Sequence, residues 1–427
     1  MNSRAMVLVF SAATVAAAAT SAALQNADSA RPAVPIIKVG LDLIQIDAAI
    51  TDKLGQPVRD LKPEDFKLTV DGKPAAVTNA AFFGMTVEGN RQAAQPSAAN
   101  MTGGPRSLIF LVDDLNMSFG SAYLARRALA GFAKEWNSQE ALVAIRSVSD
   151  EAGPLTLSRK RERFEAAVSA VRYNILSNKG AASAPIYSGL DDMTSGSNGG
   201  IAFSSSINPA MARGNFEKRV FSLLSTVNAL RSVPGRKAVV FISEGFDLTN
   251  DDRGLARLGI DSPFDSLFGD ESVGNALRSI VEVANRASVV VYTLDPSGLT
   301  SDAPGADVSG MPSASERSSA SLSRFSAQGT LRELADGTGG LSVYNRNDLK
   351  GGLKEVVLDQ RAYYLVGFEP PEAAFARKGA KAKFHKIKLS VTRPGLRVRT
   401  REGFYGVTDE ELVVRAPLVA TNVDGQP

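Results

Sequence analysis

The stretch SLIFLVDDLNMS, residues 107–118, decides the fold, because an uncharged apolar run ends there abruptly in polar residues. Ser107–Val112 is typical of a strand that is buried on both faces of a parallel sheet. Two similar runs follow, AVVFI at residues 238–242 and VVVYTL at residues 289–294. Three such runs predict a central sheet that is covered by helices.

Helical patterns separate these strands, and the first has apolar residues along one face at Leu124, Ala128, Leu129 and Phe132. Helices are predicted over Ser121–Trp136, Arg161–Val171, Phe216–Leu230, Ala276–Ala287, Leu331–Ala335 and Leu349–Leu358, and further strands over Ala141–Val148 and Gly340–Tyr344. The alternation predicts that residues 106–360 form an α/β domain with a doubly wound, mostly parallel sheet.

Short alternating strands lie on both sides of this domain, in residues 36–83 and 361–407. In the first segment, Asp71-Gly72 is a hairpin signal, with Val77–Phe83 as the returning strand. Each segment has only three or four strands, so we expect the two to pair into one small all-β sandwich with the α/β domain inserted between them. Residues 84–105 are interpreted as a linker and residues 408–427 as a tail.

Composition removes several classes of chemistry. The 427 residues include no cysteine and one histidine, His385, so disulfides, thiolate catalysis, cysteine-ligated zinc and sites with two imidazoles are excluded. A metal ion would need oxygen ligands, which favours Mg²⁺, with Mn²⁺ or Ca²⁺ as alternatives. The net charge of +3 does not indicate nucleic acid. His385 has no acid nearby in sequence, and we expect it at the surface.

Residues 1–24 have the pattern of a Sec-type signal peptide: Arg4, an apolar stretch over Ala5–Ala19, and small residues at Ser21-Ala22-Ala23. No cysteine follows that could carry a lipoprotein anchor. The pattern predicts a secreted or periplasmic protein.

The loop after the first apolar strand is the first candidate site. Asp114, Asn116 and Ser118 are alternate residues that can point their oxygens at one spot, as the ligands of a hard cation do. The same residue types are preferred N-caps, so Asn116 or Ser118 could instead cap the following helix. The loop by itself leaves both interpretations open.

A second acidic loop, Ser243-Glu244-Gly245-Phe246-Asp247, follows the second apolar strand. Central parallel strands deliver the loops at their carboxyl ends to one crevice, so we expect Asp114, Asn116, Ser118 and Glu244 to converge there. Two carboxylates and two neutral oxygens suit magnesium.

This order of strand, acidic loop, helix and second strand with an acidic end resembles the von Willebrand factor A domain. The resemblance implies a metal-ion-dependent adhesion site, in which Asp114, Asn116 and Ser118 match an Asp-x-Ser-x-Ser loop and Glu244 matches a later aspartate. It also implies a threonine ligand, for which Thr194 is the candidate. In an alternative alignment of this loop with the family's motif, Asp113 is the first ligand. Leu115 and Met117 then fill ligand positions, and the site cannot bind a metal ion.

The flanking segments sharpen this resemblance. Several stretches are similar to a group of bacterial, largely acidobacterial, von Willebrand factor A-related proteins. They are ITDKLGQPVRDLKPEDFKLTVDGKPAAV in the first segment, LRSVPGRKAVVFISEGF before the second acidic loop, and YYLVGFEP with IKLSVTRPGLRVRTREGFY near the end. The resemblance covers most of residues 36–407 and is specific to this family, whereas it indicates little about function.

Three long loops interrupt the α/β pattern, at residues 180–214, 245–273 and 297–329, and the serine-rich third is expected to be mobile. Residues 377–401 carry ten Lys and Arg and no acid. They are interpreted as the solvated face of strands, with an anionic polysaccharide or a membrane surface as the alternative contact.

Three classes of function remain, and we rank them from the most to the least favoured. The first is an exported module that binds a protein partner at the carboxyl edge of the sheet, with or without a cation. The second is a metal-free scaffold of the cell envelope. The third is a metal-dependent hydrolase, for which Glu244 or Asp247 would have to serve as the general base. No nucleic-acid partner is expected.

Overall fold

The computed structural model describes residues 44–84, 106–136, 141–150, 155–177, 209–246, 273–299, 314–370, 384–405 and 421–422. The predicted signal peptide 1–24, the linker beyond Gly84, and Thr194 and Asp247 lie outside these residues, as does the tail except for residues 421–422.

The described strands are β1 (Ile44–Thr51), β2 (Phe66–Val70), β3 (Lys73–Ala75), β4 (Val77–Gly84), β5 (Arg106–Val112), β6 (Ala141–Ser147), β7 (Thr156–Leu157), β8 (Lys237–Ile242), β9 (Val289–Leu294), β10 (Ser342–Val343), β11 (Ala362–Phe368), β12 (Phe384–Val391), β13 (Arg397–Thr400), β14 (Gly403–Tyr405) and β15 (Thr421–Asn422). The described helices are α1 (Phe119–Glu135), α2 (Arg161–Ala170), α3 (Pro209–Ala229), α4 (Val273–Arg286), α5 (Ala314–Thr338) and α6 (Leu349–Arg361), with one 3₁₀ turn at Pro63–Asp65.

Five parallel strands form the central sheet, in the order β10-β9-β8-β5-β6. Every residue of β8 and β9 is buried, because helices pack on both faces. One face packs against α3, α4 and α5, and the other against α1, α2 and α6. The prediction of an α/β fold with a parallel sheet is confirmed.

Two antiparallel four-stranded sheets, in the orders β13-β1-β11-β4 and β14-β12-β2-β3, flank this sheet in sequence. Each contains strands from both ends of the chain: β1 pairs with β11, and β2 pairs with β12. Apolar side chains of both sheets form one core, which includes Ile46, Phe66, Val366, Phe368 and Leu389. The α/β part therefore lies, in sequence, between two halves of one sandwich.

The returning strand of the first hairpin differs from the prediction. Asp71 and Gly72 form the turn, with φ angles of +50° and +79°, but the strand that returns beside β2 is the short β3. Val77–Gly84 instead joins the other sheet beside β11. A turn of two residues places Lys73 directly opposite Val70, so the chain reaches Val77 only after β2 is already paired.

The expected loop at residues 297–329 is wrong in its second half, because α5 begins at Ala314. Its buried residues Ala327, Leu331 and Leu334 fix one face of the helix. The described serines of its first turns are exposed to solvent, so their polar side chains do not disturb the packing of the helix.

His385 is buried, contrary to the expectation of a surface residue. Pairing of β12 with β2 brings its Nδ1 to 2.8 Å from Oδ2 of Asp71, and its ring stacks on Phe404. No acidic residue is close to His385 in sequence, but Asp71, in the distant hairpin turn, is close to it in the fold.

A buried polar network joins the sandwich to the α/β part. Asp359 of α6 accepts hydrogen bonds from the hydroxyl of Tyr292 and from Arg399 of β13, and Arg236 lies 3.9 Å from it. Burial, followed by the nearby carboxylate of Asp359, raises the pKa of Tyr292 well above its usual range. The network is a largely buried, charged junction between the two parts.

Part of the basic segment is used inside the molecule. Arg399 also donates to the carbonyl of Gly339, and Arg401 donates to the carbonyls of Asn285 and Gln45. Across the described ranges, no helix is long and apolar enough to cross a bilayer.

Candidate functional site at the carboxyl edge of the parallel sheet

The chain direction reverses at β5, which makes the carboxyl end of this strand the natural place for a site. From β5 the chain moves to β6 on one side and later returns to β8 on the other side. Open α/β sheets bind ligands at such a switch point, outside the carboxyl ends of the strands. The two acidic loops predicted to meet, after β5 and after β8, are therefore neighbours.

A buried ion pair lies between these loops. Nε of Arg219, in α3, donates to Oδ2 of Asp113 at 2.8 Å, and neither side chain is exposed to solvent. The hydroxyl of Ser243 donates to the same oxygen at 2.5 Å. Burial raises the pKa of Asp113, and Arg219 and Ser243 act in the opposite direction.

The loop after β8 is fastened to this pair. The carbonyl of Gly245 accepts hydrogen bonds from Nη2 of Arg219 at 2.5 Å and from Nδ2 of Asn116 at 2.6 Å. The guanidinium of Arg219 also lies over the ring of Phe246, 4.0 Å from its centre. Cation–π contact and hydrogen bonds together hold a charge that water cannot reach.

The predicted ligands do not all converge. Asp114 turns toward β6, where it accepts hydrogen bonds from the backbone N–H of Ser149 at 2.9 Å and from the hydroxyl of Ser149. Glu244 and Ser118 do meet, but through the backbone: the N–H of Ser118 donates to Oε1 of Glu244 at 2.8 Å. The structure thus brings Asn116, Ser118 and Glu244 to the loop after β8 and holds Asp114 beside β6.

Ser118 is the N-cap of α1, since its hydroxyl accepts a hydrogen bond from the N–H of Ser121 at 3.2 Å. An N-cap hydroxyl satisfies one of the N–H groups that a helix leaves free at its start. The capping interpretation of this residue is the one the structure shows.

The residues present do not fit a hard cation at this edge. Mg²⁺ needs near-octahedral oxygen ligands, yet Asp113 carries a guanidinium 2.8 Å from one of its oxygens, and a dication there would be repelled. Leu115 and Met117, at the ligand positions of the Asp113 alignment, are buried in the apolar cores on opposite faces of the sheet. Within the described ranges, no group of three or more acidic or histidine side chains could hold a metal ion.

The edge continues at β9 in the same manner. Asp295 is buried and accepts hydrogen bonds from the N–H of Ser297 at 2.9 Å and from Nε2 of Gln328 at 3.1 Å. The described acidic side chains that follow β5, β8 and β9 are therefore all hydrogen-bonded within the chain, namely Asp113, Asp114, Glu244 and Asp295.

Sequence reasoning missed Arg219, although a signal for it exists. The residue lies three positions after Phe216 and four before Leu223, on the apolar face of α3. An arginine at that spacing needs a buried partner.

Large apolar side chains are exposed around this edge. Phe119, Tyr123, Ile175, Leu176 and Met211 are each between 37 % and 57 % exposed, and together we call them the apolar rim. The hydroxyl of Ser177 donates to the carbonyl of Met117 at 3.0 Å, and Nδ2 of Asn215 donates to the carbonyl of Leu176 at 3.1 Å. These bonds hold the segment that carries Ile175 and Leu176 between α1 and α3.

Comparison with known proteins gives no family assignment. No family model matches the chain, and no curated protein matches it. Among solved structures, the human COPII-coat protein Sec24c matches with 9 % identity and a TM-score of 0.27, over 84 % of this chain and 48 % of that protein. The chain thus spans about half the length of that protein, and so low a TM-score carries no argument about fold or function.

Proposed function

We propose that this chain is an exported, non-enzymatic protein-binding module. Its α/β part is of von Willebrand factor A type, and it binds a protein partner at the carboxyl edge of the sheet through the apolar rim. Exposed apolar clusters on a rigid support are characteristic of protein-binding surfaces. The apolar rim is the observation that carries this proposal.

The proposed binding does not use a divalent cation. Arg219 supplies the positive charge beside Asp113, and the other candidate ligands Asp114 and Ser118 are occupied by Ser149 and Ser121. Export rests on the pattern of residues 1–24. The second acidic loop supports binding over catalysis, because Glu244 accepts a backbone hydrogen bond from Ser118.

The test is capture of envelope proteins by the immobilised chain, with and without a chelator. We expect Tyr123→Asp and Leu176→Asp to reduce capture of a specific partner about tenfold or more, since each places a charge in the proposed interface. The matched control is Leu54→Asp, an equally drastic change at a leucine exposed in the sandwich, which should leave capture unchanged.

Two outcomes contradict the proposal. Equal loss with Leu54→Asp would show that the apolar rim is not the surface involved. If capture disappears when a chelator is added, the binding depends on a divalent cation. Titration calorimetry of Mg²⁺ and Mn²⁺ into wild type and Asp114→Ala would then show whether the cation binds at Asp114. We expect that titration to give no heat that distinguishes the two proteins.

A further inference from the structure

A cavity of about 280 Å³ lies at the amino edge of the parallel sheet, the end opposite the apolar rim. The first residues of β5 and β6, the last turn of α1 and one side of α6 along its length line it. Nothing in the proposed binding at the carboxyl edge uses this space.

The cavity has an apolar floor. Its lining includes Leu108, Phe132, Trp136, Ala141, Val357 and Leu358. At roughly 30 Å³ for each heavy atom, the share of one molecule in liquid water, the space holds about nine heavy atoms. That is the size of a small organic molecule with a short apolar body.

The rim of the cavity is basic. It has four cationic side chains and one carboxylate, namely Arg106, Lys350, Lys354, Arg361 and Glu135. Lys350 and Lys354 share Glu135 as their ion-pair partner, Lys354 at 3.0 Å. The C-termini of α1 and α6 add about half a negative charge each, so the rim remains positive overall.

Among the lining residues other than arginine, two polar atoms are buried and lack hydrogen-bond partners within the described part of the chain. They are Nε1 of Trp136 and the hydroxyl oxygen of Ser107. Buried donors of this kind are rare unless water or a ligand satisfies them. Each of these groups can donate a hydrogen bond to a ligand that carries an acceptor atom.

We propose that this cavity binds a small amphipathic anion, a molecule with a short apolar body and one carboxylate or similar head group. The body would lie on the floor formed by Phe132 and Trp136, and the head group would lie at the rim near Lys350 and Lys354. A neutral molecule of the same shape would gain only the apolar contacts.

Trp136 makes the proposal directly measurable, because it is the only tryptophan of the chain. Titration of the full chain with octanoate, an anion of about this size, should give a saturable change in tryptophan emission. Octan-1-ol should need an about tenfold higher concentration, since it lacks the charge. A change that does not saturate, or equal affinities for the two molecules, would overturn the proposal.

The charge dependence is tested by Lys350→Gln/Lys354→Gln, which changes two well-exposed side chains. This variant should bind octanoate about threefold to tenfold more weakly and octan-1-ol as wild type does. Lys388→Gln, a change to an exposed lysine of β12 in the sandwich, is the control and should leave both affinities unchanged. Octanoate binding that is unaffected by the double substitution would show that the rim does not select an anion.

Discussion

At the scale of single residues, Arg219 determines what the acidic loop after β5 can do. Its guanidinium and the carboxylate of Asp113 are both fully buried, so each charge depends on the other. Removing one partner of such a pair leaves an uncompensated charge in the interior, whereas removing both together does not.

A double-mutant cycle tests this dependence. Asp113→Asn and Arg219→Met should each lower the free energy of unfolding by about 3–5 kcal/mol, and the double variant should lose less than the sum of the two. Denaturant unfolding measures all three. Asp114→Asn is the control and should cost only about 1 kcal/mol, the value of an ordinary hydrogen bond. Strict additivity of the two substitutions would show that the pair is not coupled.

The sequence contained the information to choose between the two aspartates. Side chains of a strand alternate between its faces, so Asp113 continues the face of Ile109 and Leu111, which packs against α3. Asp114 continues the face of Phe110 and turns away from α3. The prediction that Asp114, Asn116 and Ser118 share a direction treated the loop as extended, but Ser118 already begins a helix.

At the scale of elements, the loop after β8 is shaped by its contact with α5. The N–H of Phe246 donates to the hydroxyl of Thr330 at 3.0 Å, which brings Gly245 against the backbone of the helix. Gly245 has a φ of +86°, and a Cβ there would collide with the carbonyl of Ala327. Both the backbone conformation and the close approach require glycine.

Gly245→Ala should therefore lower the free energy of unfolding by about 2 kcal/mol or more. Gly329→Ala, on the exposed side of α5 where a Cβ meets no atom within 4 Å, is the matched control. It should stabilise the protein by about 0.5–1 kcal/mol, because alanine is the better helix former. Thermal unfolding followed by circular dichroism measures both, and a neutral Gly245→Ala would contradict the described contact.

Elements differed in how far the sequence could predict them. β5, β8 and β9 were recognisable because a strand buried on both faces is an almost continuous apolar run. α5 was missed in its first half, since its exposed serines resemble a loop and its packing side chains begin only at Ala327. The partner of β4 could not be predicted, because the pairing is decided by Ala362–Phe368, far along the chain.

At the scale of the whole molecule, Asp359 joins the sandwich to the α/β part. It is nearly inaccessible to solvent and faces Arg399 and Arg236. Asp60 is paired with Arg393 at 2.8 Å but is 71 % exposed. The two aspartates thus make the same kind of pair in opposite environments.

Asp359→Asn should lower the free energy of unfolding by about 3 kcal/mol, because Arg399 loses its carboxylate partner and the buried Arg236 keeps only Asp47, at 3.6 Å. Asp60→Asn should change it by less than about 1 kcal/mol, as is usual for exposed pairs. Calorimetry should also show the unfolding of the Asp359→Asn protein separating into two transitions as the junction weakens. Equal effects of the two substitutions would contradict the role of the junction.

The pairing of β1 with β11 has a consequence for how the chain is made. Ile44 lies opposite Phe368, and Ala48 lies opposite Thr400, so β1 has no partner strand until residues 362–400 have been translated. Contacts between such distant residues form slowly. The α/β part can collapse while synthesis continues, and the sandwich closes last, around a neighbour that is already folded.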